Sequence, residues 1–158
     1  MAPDTVIRLA QEHENIIGVK EASGFPQQAE QITSAELPKD FVVLSGDDAL
    51  TVAFVQNGAQ GVISVVGNAY PRLTSRLTHL AMQGRYNEAD MLQTAMRQIN
   101  TQLFQEGNPS GIKALLRLMC LIDSDTLRLP LVPVSEELRM RLDETRKELD
   151  LYASTIGC

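Results

Sequence analysis

The chain has 158 residues, 44% of them hydrophobic and 22% charged, which is typical of a folded domain and excludes a disordered segment. Its 14 basic and 20 acidic residues give a formal net charge of −6, opposite to that of a nucleic-acid-binding surface, so we expect no DNA or RNA partner. No apolar run approaches the roughly 18 residues that span a bilayer, and the first residues do not resemble a secretory signal. We expect a cytoplasmic protein with no membrane partner.

Cysteine and histidine usage predicts neither a disulfide framework nor a metal site. Cys120 lies in an apolar helical pattern, and Cys158 is the last residue. His13 and His79 have no cysteine partners at zinc-binding spacing. We therefore expect no bound metal.

The first 70 residues alternate between helical and strand patterns. A short helix over 4–11 precedes the run 15–19, and the runs 41–44 and 61–66 follow the same pattern. Each run is apolar without polar alternation, which is typical of strands covered on both faces in a parallel sheet. We predict three βα units joined by right-handed crossovers, with Gly58 as the C-cap of the helix before the third strand.

Beyond Tyr70 the hydrophobic period becomes helical. Pro71 opens one helix that Gly84 ends, and a long amphipathic helix is predicted over 86–103. The remaining predicted elements are a helix near 112–119, an extended stretch over 127–134 and a last helix through 149, N-capped by Ser135.

A sheet of three parallel strands has two unpaired edges and cannot close a barrel. An open doubly wound sheet would alternate strands and helices to the end of the chain, whereas the last part of this sequence is helical. Either the sheet pairs with another copy, or the chain is part of a larger barrel.

Polar side chains follow each predicted strand, at the end where parallel α/β sheets bind their ligands. These residues are Lys20, Glu21 and Ser23 after the first strand, Ser45, Gly46, Asp47 and Asp48 after the second, and Ser64, Gly67 and Asn68 at the third.

Lys20 has the most specific chemistry among them. A lysine at a strand end among apolar walls would have a pKa lowered by desolvation, which leaves a neutral amine able to form a Schiff base with a carbonyl compound. The alternative is that Lys20 begins a solvated loop, which is the commoner situation of a lysine. Asp47 and Asp48 could bind magnesium or position an amine, but we favour a helix cap.

Several segments, taken together, resemble dihydrodipicolinate synthase, also called 4-hydroxy-tetrahydrodipicolinate synthase. They are 18–24 (GVKEASG), 45–48 (SGDD), 61–65 (GVISV) with Asn68, 106–109 (EGNP) with Lys113, and 127–131 (LRLPL) with Pro133. Their order and spacing agree with the family over nearly the whole chain.

The resemblance implies an α/β fold that is the C-terminal part of a (β/α)8 TIM barrel. Three βα units would occupy residues 1–84, and a C-terminal helical region would occupy 85–158. A complete barrel takes roughly 250 residues, so the N-terminal half of the barrel is an expected partner. The family also implies a homo-oligomer.

The family's activity is the condensation of pyruvate with L-aspartate 4-semialdehyde in lysine (diaminopimelate) biosynthesis. By match to its motifs, Lys20 forms the imine with pyruvate, and no cofactor is needed. The main chain of Ile63 contacts the pyruvate, Gly46 lines its pocket, and Asp47 and Asp48 line the mouth of the site.

The resemblance also implies what this chain lacks. The family takes its proton-relay tyrosine from the first half of the barrel, and none of Tyr70, Tyr86 and Tyr152 matches that residue. We therefore expect little or no synthase activity from the chain alone.

Two further enzymes of the same superfamily, N-acetylneuraminate lyase and keto-acid aldolases, share the strand-end lysine. A receiver-like module that uses Asp47, Asp48 and Lys20 as a phosphoacceptor and magnesium site is a non-enzymatic alternative, although receivers alternate strand and helix to the end. A third alternative is an inactive remnant that only assembles through its long helix.

Overall fold

The computed structural model describes all of residues 1–158 and contains eight α-helices and two β-strands. In chain order these are α1 (Pro3–Glu12), β1 (Gly18–Glu21), α2 (Pro26–Thr33), β2 (Val42–Ser45), α3 (Thr51–Gln56), α4 (Pro71–Met82), α5 (Tyr86–Ala95), α6 (Arg97–Gln105), α7 (Ser110–Leu118) and α8 (Glu136–Thr155). Two short 3-10 turns cover Asp48–Leu50 and Val66–Asn68.

The chain forms two compact units. Unit 1 contains residues 1–64 and 76–90, and unit 2 contains residues 65–75 and 91–158. The division after residue 84 that the sequence suggests stays a prediction. No helix is both long enough and apolar enough to cross a membrane.

The sheet of unit 1 is parallel, as predicted, but it is smaller than predicted. β1 pairs with β2, with Gly18 opposite Val42 and Glu21 opposite Ser45. The third predicted strand is wrong in extent, because the segment beside β2 forms one bridge, between Val62 and Ser45.

The core of unit 1 lies between this sheet and the first helices. α1 packs on α2, and α2 and α3 pack near β2. The buried side chains of this core are Val6, Ala10, Ala29, Ile32, Phe41, Val43, Phe54 and Ala59. The prediction of strands covered on both faces is wrong for this chain. Residues of β2 alternate between half-buried and buried, and Ile17, next to β1, is 69% exposed.

Unit 2 is a helical assembly in which α6, α7 and α8 pack on one another. Leu103, Leu115, Leu138 and Leu142 are fully buried in it. Gly111 permits the close approach of α7 to α6, since a Cβ there would lie 2.2 Å from the carbonyl oxygen of Leu103.

The sequence places most helix ends correctly. Gly58 and Gly84 have positive φ values just after α3 and α4, as expected for C-caps. The Ser135 hydroxyl accepts a hydrogen bond from the Leu138 amide at 3.2 Å, which confirms the predicted N-cap of α8. The Glu106 carboxylate accepts bonds from the Ser135 amide and hydroxyl at 2.7 and 2.6 Å.

The single long helix predicted over 86–103 is wrong, because it is interrupted at Met96, between α5 and α6. Leu92, Met96, Ile99 and Leu103 are nevertheless all buried. The apolar stripe therefore continues through the interruption. Because hydrophobic periodicity records only this stripe, it does not reveal that the helix is interrupted.

Candidate active site

The carboxyl ends of β1 and β2 lie side by side, as the sequence predicts. Lys20 is opposite Leu44 in the register of the sheet. The pairing continues one step past β2, where the Gly46 amide donates to the Glu21 carbonyl at 2.7 Å. The backbone that follows Lys20 is thereby held against the loop that follows β2.

The side chain of Lys20 extends over this junction. Its Cε lies 2.9 Å from the position that a Cβ on Gly46 would occupy. The Lys20 residue is exposed, whereas the next residue, Glu21, is 4% exposed and its carboxylate accepts a bond from the Ser23 amide at 2.6 Å. Lys20 therefore extends toward the second strand end, as predicted.

The expected apolar enclosure of Lys20 is wrong for this chain. β1 has a strand neighbour on one side only, namely β2, and its other edge is unpaired. Lys20, on this edge strand, is exposed.

Replacing Gly46 with alanine should destabilise the fold and displace Lys20. The new Cβ would lie 2.5 Å from the Ala22 Cβ and 2.9 Å from the Lys20 Cε, so the strand ends must separate. We expect a loss of about 2 kcal/mol in the free energy of unfolding, measured by urea denaturation. Gly61→Ala is the control, because its Cβ would meet only the flexible Leu44 side chain, at 3.2 Å. Equal stability of the two variants would contradict this account.

The two aspartates after β2 have different roles. The Asp47 carboxylate accepts a bond from the Ala49 amide at 2.9 Å, which confirms the favoured helix cap. Asp48 is only 6% exposed, and its carboxylate accepts a hydrogen bond from the Ser64 hydroxyl. The sequence predicts that these groups converge but not that they bond. The one signal for this bond is a serine within the apolar run 61–66.

Ile63 lies directly after the bridge to β2. Its amide donates to the Ser45 carbonyl at 2.8 Å, and the residue is 47% exposed. Because the amide is already bonded, the main-chain group left for a ligand is the Ile63 carbonyl. The Ser45 hydroxyl in turn donates to the Asp47 carbonyl at 3.0 Å, which shapes the loop beside it.

Tyr70 and Asn68 belong to unit 2. The Asn68 side chain donates to the Val65 carbonyl at 3.0 Å. The Tyr70 hydroxyl donates to the Asp150 carboxylate at 3.0 Å, and Arg146 bonds the other oxygen of that carboxylate, also at 3.0 Å. Burial, together with the Asp150 hydrogen bond, raises the pKa of Tyr70 well above its ordinary value. The Tyr70 hydroxyl is therefore held by Asp150 within unit 2.

Unit 2 also has a cavity of about 340 Å³, which is lined by none of the predicted site residues. Its lining includes Leu73, Met119 and Ala153, with Tyr70 and Asp150 on its polar side.

Comparisons with known proteins agree with the sequence motifs. The model of the dihydrodipicolinate synthetase family matches residues 1–149. A 4-hydroxy-tetrahydrodipicolinate synthase from Porphyromonas gingivalis is 46% identical over 147 residues, which cover 93% of this chain and 49% of that protein.

Solved structures show the same relationship. The 4-hydroxy-tetrahydrodipicolinate synthase of Methylacidiphilum fumariolicum SolV has a TM-score of 0.91 at 38% identity, over 99% of this chain and 51% of that one. A chloride-inhibited dihydrodipicolinate synthase from Acinetobacter baumannii, in complex with pyruvate, has a TM-score of 0.87 at 34% identity, over 94% of this chain and 50% of that one. These neighbours are TIM barrels, which confirms the predicted fold class.

The chain spans about half the length of the relatives and structures that it matches. The match covers both the strand-end motifs and the helical region, and it disagrees with a receiver-like module. This chain belongs to the dihydrodipicolinate synthetase family.

Proposed function

We propose that this chain supplies the imine-forming part of a 4-hydroxy-tetrahydrodipicolinate synthase. The observation that carries the proposal is the position of Lys20, at the carboxyl end of β1 with its side chain over Gly46, in a chain of this family. The synthase from Acinetobacter baumannii, which binds pyruvate, supports the choice of keto acid.

Lys20 acts as the nucleophile in this proposal. The unprotonated form of its amine attacks the keto carbon of pyruvate. Uptake of a proton and loss of water from this adduct leave an iminium that draws electrons from the methyl carbon. A base takes a methyl proton, the enamine carbon bonds to the aldehyde carbon of L-aspartate 4-semialdehyde, and the aldehyde oxygen gains a proton. The amino group of the semialdehyde then displaces the Lys20 amine from the iminium carbon, which closes the ring and frees the lysine. Family enzymes form this Schiff base through a lysine and need no cofactor.

The remaining assigned residues contact or border the keto acid. We assign the Ile63 carbonyl as a hydrogen-bond acceptor for pyruvate or its adduct, because its amide is bonded to Ser45. Gly46 lines the pocket and leaves space for the Lys20 side chain. Asp47 borders the mouth of the site as part of the capped loop.

Proton transfer requires a positioned acid or base, which we assign to a partner. Tyr70 is bonded to Asp150, and neither Tyr86 nor Tyr152 matches the family's relay tyrosine. We propose that the other half of the barrel supplies this group and the pocket for the semialdehyde. The complete enzyme is proposed to be a homo-oligomer.

N-acetylneuraminate lyases and keto-acid aldolases would use the same lysine with a different second substrate. The names of the relatives favour the synthase, since the relatives compared above are all 4-hydroxy-tetrahydrodipicolinate or dihydrodipicolinate synthases.

Borohydride reduction in the presence of pyruvate tests the proposal. We expect one reduced pyruvate adduct, located by peptide mass spectrometry on the peptide that contains Lys20. Acetyl phosphate serves as the parallel reagent, because a receiver-like module would be labelled at Asp47 or Asp48 instead. Absence of an adduct, or an adduct confined to other amines, would overturn the assignment of Lys20.

A further inference from the structure

The segment that carries Ile63 runs beside β2 and bonds to it through its main chain. The Gln60 amide donates to the Val43 carbonyl, and Ser45 bonds to Gly61 and Ile63, each at 2.8 Å. Ser64, the residue after Ile63, adds a contact through its side chain.

The side chain of Asp48 is a partner of the Ser64 hydroxyl. The Ser64 hydroxyl donates to the Asp48 carboxylate, and the Asp48 residue is 6% exposed. Hydrogen bonds to an ionised acceptor are about twice as strong as neutral ones, and burial limits competition from water. This bond joins the loop after β2 to the residue that follows Ile63.

Asp48 is itself held in place by the loop around it. The Asp47 carboxylate caps the Ala49 amide at 2.9 Å, and the Thr51 hydroxyl donates to the Asp48 carbonyl at 3.2 Å. The Ser45 hydroxyl donates to the Asp47 carbonyl at 3.0 Å. Asp48 therefore offers Ser64 a fixed acceptor.

We propose that Asp48 and Ser64 are a positioning pair that sets the direction of the Ile63 carbonyl relative to a keto acid bound at Lys20. Ile63 lies between two fixed points, its own amide on Ser45 and the next side chain on Asp48. The pair does not contact the keto acid in this inference; it acts by holding the Ile63 main chain in position. The inference rests on the proposed function, in which Lys20 binds pyruvate.

A series of variants in the 158-residue chain tests the pair by borohydride capture of pyruvate. Ser64→Ala removes the donor, Asp48→Asn removes the charge but keeps an acceptor, and Ser64→Thr keeps the hydroxyl. For Ser64→Ala we expect the pyruvate concentration at half-maximal capture to rise about tenfold, with little change in the maximal rate. Asp48→Asn should show a smaller rise, and Ser64→Thr should resemble the wild type.

Ser135→Ala is the matched control, because it removes a helix cap in unit 2 and no group of the site. It should lower the melting temperature and leave the half-maximal concentration unchanged. If Ser64→Ala and Asp48→Asn behave like this control, the pair is only structural and the inference is overturned.

Two other outcomes are also decisive. If circular dichroism shows that Ser64→Ala is unfolded, Asp48→Asn is compared with Ser64→Thr. Equal half-maximal pyruvate concentrations for these two variants would overturn the inference. If the wild-type chain captures no pyruvate, the proposed function itself fails, which is distinct from failure of the pair alone.

Discussion

Lys20→Ala should abolish the borohydride-dependent addition of pyruvate to this chain. The nucleophile of an imine is the amine itself, and no neighbouring side chain can replace it in the same position. Intact-mass spectrometry after reduction with pyruvate measures the loss directly. We expect the adduct to fall to the level found when pyruvate is omitted.

The stability of Lys20→Ala should remain close to that of the wild type. Lys20 is exposed, and substitutions at such surface positions usually change the free energy of unfolding by less than about 0.5 kcal/mol. Lys39→Ala is the matched control, since Lys39 is also exposed and lies before β2, in the loop that leads into the strand. Loss of the adduct in both variants, or its persistence in Lys20→Ala, would refute the role of Lys20.

Synthase turnover should be nearly absent in the isolated chain and should return when the chain is co-expressed with the part of the Porphyromonas gingivalis relative that it does not match. That relative is 46% identical, and the matched part covers 49% of it. General acid–base catalysis contributes roughly 10²–10⁴-fold, so we expect a gain of at least this order when a proton relay is supplied. A coupled assay with pyruvate and L-aspartate 4-semialdehyde measures the gain.

The control for co-expression is the same pair of chains with Lys20→Ala, which should show no turnover. Complementation should also protect Lys20 from solvent, because the unpaired edge of β1 would gain a neighbouring strand. Turnover by the isolated chain at the rate of the complemented pair would show that the relay lies within these residues, and would contradict the assigned partner.

Much of the fold is readable in the sequence because local patterns carry it. The apolar runs near β1 and β2 predict parallel strands, and parallel strands place their carboxyl ends together, which brings Lys20 and Gly46 to one edge. Ser135 predicts the N-cap of α8, because this cap is a local hydrogen bond to the Leu138 amide. The family motifs suggest the proposed role of Lys20, which spacing alone does not distinguish from that of a loop lysine.

Other features depend on contacts between distant segments. The run 61–66 has the composition of a strand, but ladder pairing requires a partner of sufficient length, and β2 ends at Ser45. The sequence predicts unpaired sheet edges, but the exposure of Lys20 beside the unpaired edge of β1 is seen only in the structure. The helix interruption at Met96 is also missing from the sequence prediction, because it leaves the apolar stripe intact.

The sequence by itself determined the parallel arrangement of β1 and β2, the N-cap of α8 and the strand end at which Lys20 lies. Hydrophobic periodicity and turn residues act over a few neighbours, so they are enough for these features. Only the tertiary structure decided the extent of the third strand, the exposure of Lys20 and the bond between Asp48 and Ser64. These depend on which residues far apart in the chain come within bonding distance, and local patterns carry no such information.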